Sequence, residues 1–206
     1  MKNQGVHALI LLRIFKMIPF PKKKYNVIYA DPPWHYQTWG EGSNRNVTSK
    51  YDTMSPEEIF KLPVSDLADE DCVLFIWVTF PKLLEGIKTI EEWGFTYKTL
   101  AFNWVKTNKK LKTNQTSFLP MDSFDTFWGL GYWTRANSEL CLLATRGKPK
   151  RESCKVHQLV YEPVREHSRK PDCVRDRIVE LIGDVPRIEL FARQKANGWD
   201  NWGNEL

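Results

Sequence analysis

The sequence predicts an α/β domain with a mostly parallel sheet and helices on both faces. Three observations carry this. Short continuous apolar runs, Tyr25 to Ala30 (YNVIYA) and Cys72 to Val78 (CVLFIWV), read as strands buried on both sides. Segments of helical period alternate with them, as strands and crossover helices do in such folds. Proline and glycine stand at the joints.

In chain order, residues 1–20 are expected to be an N-terminal extension or first packing element. The apolar stretch His7 to Phe15 within them is too short to cross a bilayer and is interrupted by Arg13. No small-residue cleavage site follows it. Residues 21–206 form the predicted domain. After YNVIYA comes a polar stretch, Trp34 to Thr53, long enough to expect function of it. Ser55 to Leu62 has an N-cap serine, proline at the first helical position and early glutamates, so a short helix is predicted. Pro81 to Trp93 repeats Leu84, Ile87, Ile90 and Trp93 at helical spacing and stops at Gly94. Thr96 to Val105 is strand-like, and Lys106 to Lys112 opens a polar segment running to about Trp133. Leu140 to Thr145 is a strand followed by the basic turn Arg146 to Arg151. Asp172 to Ile182 is a helix between Pro171 and Gly183, with Val174, Ile178, Leu181 and Ile182 on one face, and Arg187 to Phe191 is a last strand. In a parallel sheet ligands bind at the carboxyl ends of strands. The segments after Ala30, Val78, Val105 and Phe191 are therefore expected to line the site.

Composition sets outer limits. The chain has 206 residues, 42% of them hydrophobic, which suits a domain with a sizeable core. A net charge of +5 is compatible with a nucleic-acid partner but does not by itself require one. The nine tryptophans are mostly expected in packing, with base stacking a second use. Cys72, Cys141, Cys154 and Cys173 are scattered, with no metal-binding or disulfide spacing. A cytoplasmic protein with no membrane partner is expected, and a monomer or a homodimer both fit.

The sharpest feature is Asp31-Pro32-Pro33-Trp34 directly after a strand. The lone pair of an adenine N6 amine is delocalised into the ring, so the nitrogen is a poor nucleophile. Acceptors placed for both N–H hydrogens pull it toward sp³ and free the lone pair. Asp31 offers a carboxylate, and a backbone carbonyl offers the second acceptor. Pro32 and Pro33 hold that backbone extended with no competing N–H. Trp34 offers a flat face for the base, worth about 1–3 kcal/mol. Fixed acceptors aimed at developing positive charge are electrostatic preorganisation.

This string resembles the catalytic motif of the MT-A70 family of adenine-N6 methyltransferases. The resemblance continues in order through Tyr51 to Ser55, LFIWVT at Leu74 to Thr79, Trp93-Gly94-Phe95 and Trp104 to Asn108. It then takes in Glu139 to Gly147, Ser168 to Asp172, Ile188 to Arg193 and the terminal Asn201 to Leu206, covering Tyr25 to Leu206. It implies a Rossmann-like methyltransferase with permuted motif order and S-adenosylmethionine as methyl donor. The donor carries its methyl on a sulfonium and is already activated, so no metal is expected. By the same resemblance Asp31 lies between donor and target amine, and Lys170, Arg193, Asn204 and Glu205 stand at donor-binding positions. The two cations suit a carboxylate, and Asn204 suits ribose hydroxyls. Three departures stand out. Glu205 replaces a glutamine common in eukaryotic members, and Lys195 replaces a histidine. No aspartate near Arg13 to Phe20 matches the one that holds the donor's adenine amine.

For the nucleic-acid surface, Arg45, Lys50 and Tyr51 lie in or beside the loop after Trp34, and Lys106, Lys109, Lys110 and Lys112 follow another strand. Arg146, Lys148, Lys150 and Arg151 follow a third, and all three runs would gather on one rim if the sheet is parallel there. His35 and His167 flank the expected site as polar residues. The reading is adenine-N6 methylation of nucleic acid, with DNA favoured over RNA. Its rivals are the same chemistry on RNA, a non-catalytic nucleic-acid-binding subunit of the same fold, and cytosine-N4 methylation.

Overall fold

In the computed structural model, which describes residues 18–36, 53–108, 126–129, 131, 133–165 and 169–206, the first apolar run forms β1 (Tyr25–Ala30). α1 (Pro56–Phe60) follows, closed by a reciprocal cap in which the Ser55 hydroxyl accepts from the Glu58 N–H and the Glu58 carboxylate accepts from the Ser55 N–H. β2 (Ala68–Val78) starts four residues earlier than expected, in the polar stretch before Cys72. α2 (Leu83–Glu92) is preceded by a 3₁₀ turn, Phe80–Lys82, which absorbs Pro81. Its buried side is Leu83, Ile87 and Ile90, and Leu84 points to solvent at 81% exposure. Gly94, at φ 79°, takes the left-handed conformation that ends the helix.

β3 (Thr96–Thr107) extends past Val105 and includes Lys106. β4 (Ser138–Arg146), β5 (Leu159–Pro163), α3 (Cys173–Ile182), β6 (Arg187–Leu190) and β7 (Asp200–Trp202) complete the chain. β5 and β7 are additions to the expected set. Both are short edge strands without the continuous apolar run that marked the others.

The seven strands are ordered β5-β3-β4-β2-β1-β6-β7. β1 pairs parallel with β2 and β6, β6 with β7, and β3 with β5, whereas β4 is antiparallel to both β2 and β3. Six strands therefore run one way and β4 alone runs against them. Alternate residues of the buried strands pack on opposite faces. Ile28, Ala30, Leu74 and Ile76 join Ile59 of α1 and Ile90 of α2, while Val27, Tyr29, Phe75 and Trp77 join Val174 and Ile178 of α3. The expected mostly parallel sheet with helices on both faces is thus present.

The direction of β4 corrects one expectation. Arg146 pairs with Cys72 near the start of β2, donates to the Ser65 carbonyl, and leads to Lys148, whose N–H bonds Asp71. The basic turn Arg146 to Arg151 therefore lies on the rim opposite the carboxyl end of β1. In exchange, the amino end of β4 carries Ser138 and Glu139 to the β1 carboxyl rim.

Candidate active site

β1 delivers Asp31 to the mouth of the sheet, and the next residues are clamped there. The Met54 N–H donates to the Pro33 carbonyl at 2.8 Å and the His35 N–H donates to the Met54 carbonyl at 3.1 Å. The Trp34 N–H donates to the Pro32 carbonyl at 2.8 Å, and a carbonyl keeps a second lone pair after one such bond. The Trp34 indole N–H reaches the Trp77 carbonyl at 3.0 Å and the ring is 5% exposed, so this side chain belongs to the core and leaves little face for a base. His35 meets the Thr53 hydroxyl at 3.0 Å.

These residues open on a pocket of about 210 Å³ lined by Asp31, Pro32, Pro33, Trp34, Tyr36, Thr53, Trp77, Val78, Thr79, Glu139, Lys170 and Arg193. Of the expected site residues, the structure thus brings together Asp31, Pro32, Pro33, Trp34, Lys170 and Arg193. Asn204 and Glu205 are exposed on the segment after β7, with the Glu205 carboxylate 3.8 Å from Arg193. Arg45, Lys50, Tyr51, Lys109, Lys110, Lys112 and His167 lie outside the described residues.

Charge alternates across the pocket floor. The Lys170 ammonium sits 2.8 Å from the Asp31 carboxylate, 3.2 Å from Glu139 and 5.6 Å from the centre of the Trp77 ring. Glu139 is buried, and its other oxygen accepts from Lys106 at 2.5 Å. Burial works against both buried charges. The carboxylates of Asp31 and Glu139 nevertheless hold the Lys170 ammonium well above its ordinary range, and Lys170 and Lys106 hold Glu139 below its own. Lys106, expected on the phosphate-facing surface, thus has its charge matched inside the protein. Lys170 is likewise the less open of the pocket's two cations, with its side chain 11% exposed against 27% for Arg193.

Lys170 is placed by α3, whose Arg175 bonds the buried Glu189 of β6 through two nitrogens at 2.7 and 2.8 Å and Asp172 at 2.8 Å. Burial pushes the Glu189 carboxyl up in spite of Arg175. At the carboxyl end of β6 the chain turns abruptly. Phe191, expected inside the strand, stands just beyond it at φ 61°, the only residue other than glycine with positive φ among those described.

The sequence reading assigned no role to Glu139, Tyr36, Trp77 or Thr79. Glu139 had a signal, a carboxylate opening the apolar run LCLLA. Tyr36 and Thr79 had only their places just beyond two strand ends.

The donor set can be checked against S-adenosylmethionine. Arg193 offers a cation for a carboxylate, Asp31 an acceptor for an ammonium, and Asn204 and Glu205 partners for hydroxyls. The segments carrying Arg193 and Asn204 are held together there, since a Cβ on Gly203 would lie 2.3 Å from the Ala192 carbonyl oxygen. These residues fit the group.

The MT-A70 family model matches residues 25–205. The Type II methyltransferase M.MunI from Mycoplasma sp is 35% identical over the whole of this chain and 86% of its own length. The N(6)-adenosine-methyltransferase MT-A70-like protein of Arabidopsis thaliana is 29% identical over 88% of this chain, and the catalytic subunit METTL3 of Homo sapiens is 30% identical over 89%. This chain spans only 24% and 28% of those two relatives. A mixed sheet with the DPPW string at the end of an interior strand, and a family match over nearly the whole length, lead to one conclusion: the chain belongs to the MT-A70 family.

Proposed function

We propose that this protein transfers a methyl group to the N6 amine of adenine in nucleic acid, with DNA as the substrate. The observation that carries the reading is Asp31 at the β1 carboxyl end, inside the pocket and tied to Lys170, with the Pro32 carbonyl beside it. S-adenosylmethionine, when bound, would supply an activated methyl whose S–C bond breaks as the N–C bond forms, the electron pair staying on sulfur as a neutral thioether. Arg193, with Asn204 and Glu205 beyond it, would hold the donor at the β6 end of the pocket. The Asp31 carboxylate accepts one N6 hydrogen and the Pro32 carbonyl accepts the other, which localises the nitrogen lone pair for attack. As the N–C bond forms, the nitrogen becomes cationic and must lose one proton. The Asp31 carboxylate is the base at hand, already bonded to that hydrogen.

DNA is favoured because the likeness to a type II methyltransferase runs end to end, whereas the adenosine methyltransferases share with this chain about a quarter of their length. The test is transfer from labelled donor to DNA and RNA oligomers of one sequence, followed by nucleoside analysis. N6-methyladenine in DNA is expected. Asp31→Ala should abolish transfer while circular dichroism stays close to wild type. Label on cytosine, or full activity in folded Asp31→Ala, would overturn the reading. Label in RNA alone would overturn its DNA part.

A further inference from the structure

We infer that the Tyr36 ring is the stacking platform for the target adenine, in place of the Trp34 indole. This rests on the proposed adenine methylation and names the acceptor half of its pocket.

A base taken out of a duplex loses its stacking partners, and an enzyme restores them with an aromatic face. Trp34 is the obvious candidate from sequence, but the structure occupies it otherwise. Its indole N–H is bonded to the Trp77 carbonyl, its backbone is bridged to Met54, and only 5% of its surface is open. An adenine cannot lie flat on a ring so enclosed. Tyr36, two residues on, lines the same pocket and is partly buried against the core. Its hydroxyl is 2.7 Å from the Thr79 hydroxyl just past β2, and the Lys82 ammonium lies 6.0 Å from its ring centre. The ring is therefore held from its far end with one face under Lys82, and the proposal gives the base its other face, which needs little ordering when a base arrives.

Sheet order gives the direction. β1 lies between β6 and β2, so Asp31 stands between Arg193 on the β6 side and Tyr36 with Thr79 on the β2 side. A donor held toward Arg193 leaves the Tyr36 side for the acceptor, with Asp31 between the two reacting groups.

The test uses the full chain and the DNA oligomer that wild type methylates. Tyr36→Leu keeps an apolar side chain against the core but removes the π face, and Tyr36→Phe keeps the face but loses the bond to Thr79. Tyr36→Leu should raise the KM for the oligomer by about tenfold, equivalent to about 1.4 kcal/mol, with donor affinity by calorimetry unchanged. Tyr36→Phe, which keeps the face and loses only its hold, should raise KM clearly less than Tyr36→Leu. With 2-aminopurine at the target position, emission from the complex should be brighter in Tyr36→Leu than in wild type, because a stacked fluorophore is quenched; a purely structural role would not produce that difference. Unchanged KM and emission in Tyr36→Leu, or equal loss in Tyr36→Phe, would overturn the platform while leaving the proposed function standing. A wild type that methylates no adenine defeats both.

Discussion

Two lysines and two carboxylates are packed at the pocket in the order Lys106, Glu139, Lys170, Asp31. Each buried ion alone would cost several kcal/mol, and alternation is what makes the group tolerable. Glu139 is the hinge of the set, because both lysines lean on it. Glu139→Gln should therefore destabilise the fold by about 3 kcal/mol at neutral pH, the low end for breaking a buried pair. Its pH dependence has a definite sign. Glu139 titrates lower in the folded protein than unfolded, so it contributes stability above the ordinary carboxylate pKa. That contribution is lost as pH falls through the folded value. Thermal melts between neutral and acid pH should show a shallower acid loss in Glu139→Gln than in wild type. Parallel acid limbs would refute the coupling.

At the scale of elements, the pocket is a meeting of strand ends. The carboxyl ends of β1, β2 and β6 supply Asp31, Thr79 and Arg193, and the reversed β4 supplies Glu139. Lys170 comes from the stretch just before α3, and α3 is fixed to β6 by the Arg175–Glu189 bonds. The exit from β6 is set by a close approach. The Ala192 N–H donates to the Trp202 carbonyl at 3.0 Å, and there is no room between Ala192 and Gly203 for a side chain. Gly203→Ala places a methyl on backbone that cannot yield cheaply, so the β6 and β7 ends must part. A loss of about 1–3 kcal/mol in stability is expected, as for overpacking elsewhere. Donor affinity should fall as well, because Arg193 and Asn204 flank the displaced backbone. Calorimetry showing wild-type donor affinity in a Gly203→Ala protein with a lowered Tm would separate this packing from the donor site.

For the molecule as a whole, the sheet has two rims of different character. The pocket rim is also where β3 ends, and Lys109, Lys110 and Lys112, which follow β3 in the sequence, lie outside the described residues. The Arg146 to Arg151 turn is on the far rim by its strand pairing. Counterion release makes this testable, since each phosphate contact on duplex DNA adds about 0.9 to the log–log salt slope of binding. Neutralising Lys109, Lys110 and Lys112 together should make that slope shallower. Neutralising Arg146, Lys148, Lys150 and Arg151 should leave it unchanged. The reverse result would mean that DNA crosses the far rim. Tryptophan use is likewise mostly structural. Of the eight among the described residues, six are buried and Trp128 and Trp133 are exposed.

The sequence by itself determined which segments are buried strands, because a run such as CVLFIWV has no polar face to give to water. It determined the start of α1, because the Ser55 cap acts within three residues. It also placed Asp31, followed by two prolines, at the carboxyl end of a buried strand. Tertiary structure decided the rest. An apolar run is the same read in either direction, so the reversal of β4 could not be seen until its partners were known. That reversal moved one basic turn away from the site and brought Glu139 in. The pairing of Glu139 with Lys106 and Lys170 joins residues far apart in the chain, and no local period encodes a partner through space. The same holds for Trp34 and Tyr36. Both are aromatic residues just past one strand, and only packing against Trp77 and Thr79 decided which was drawn into the core and which was left at the pocket wall.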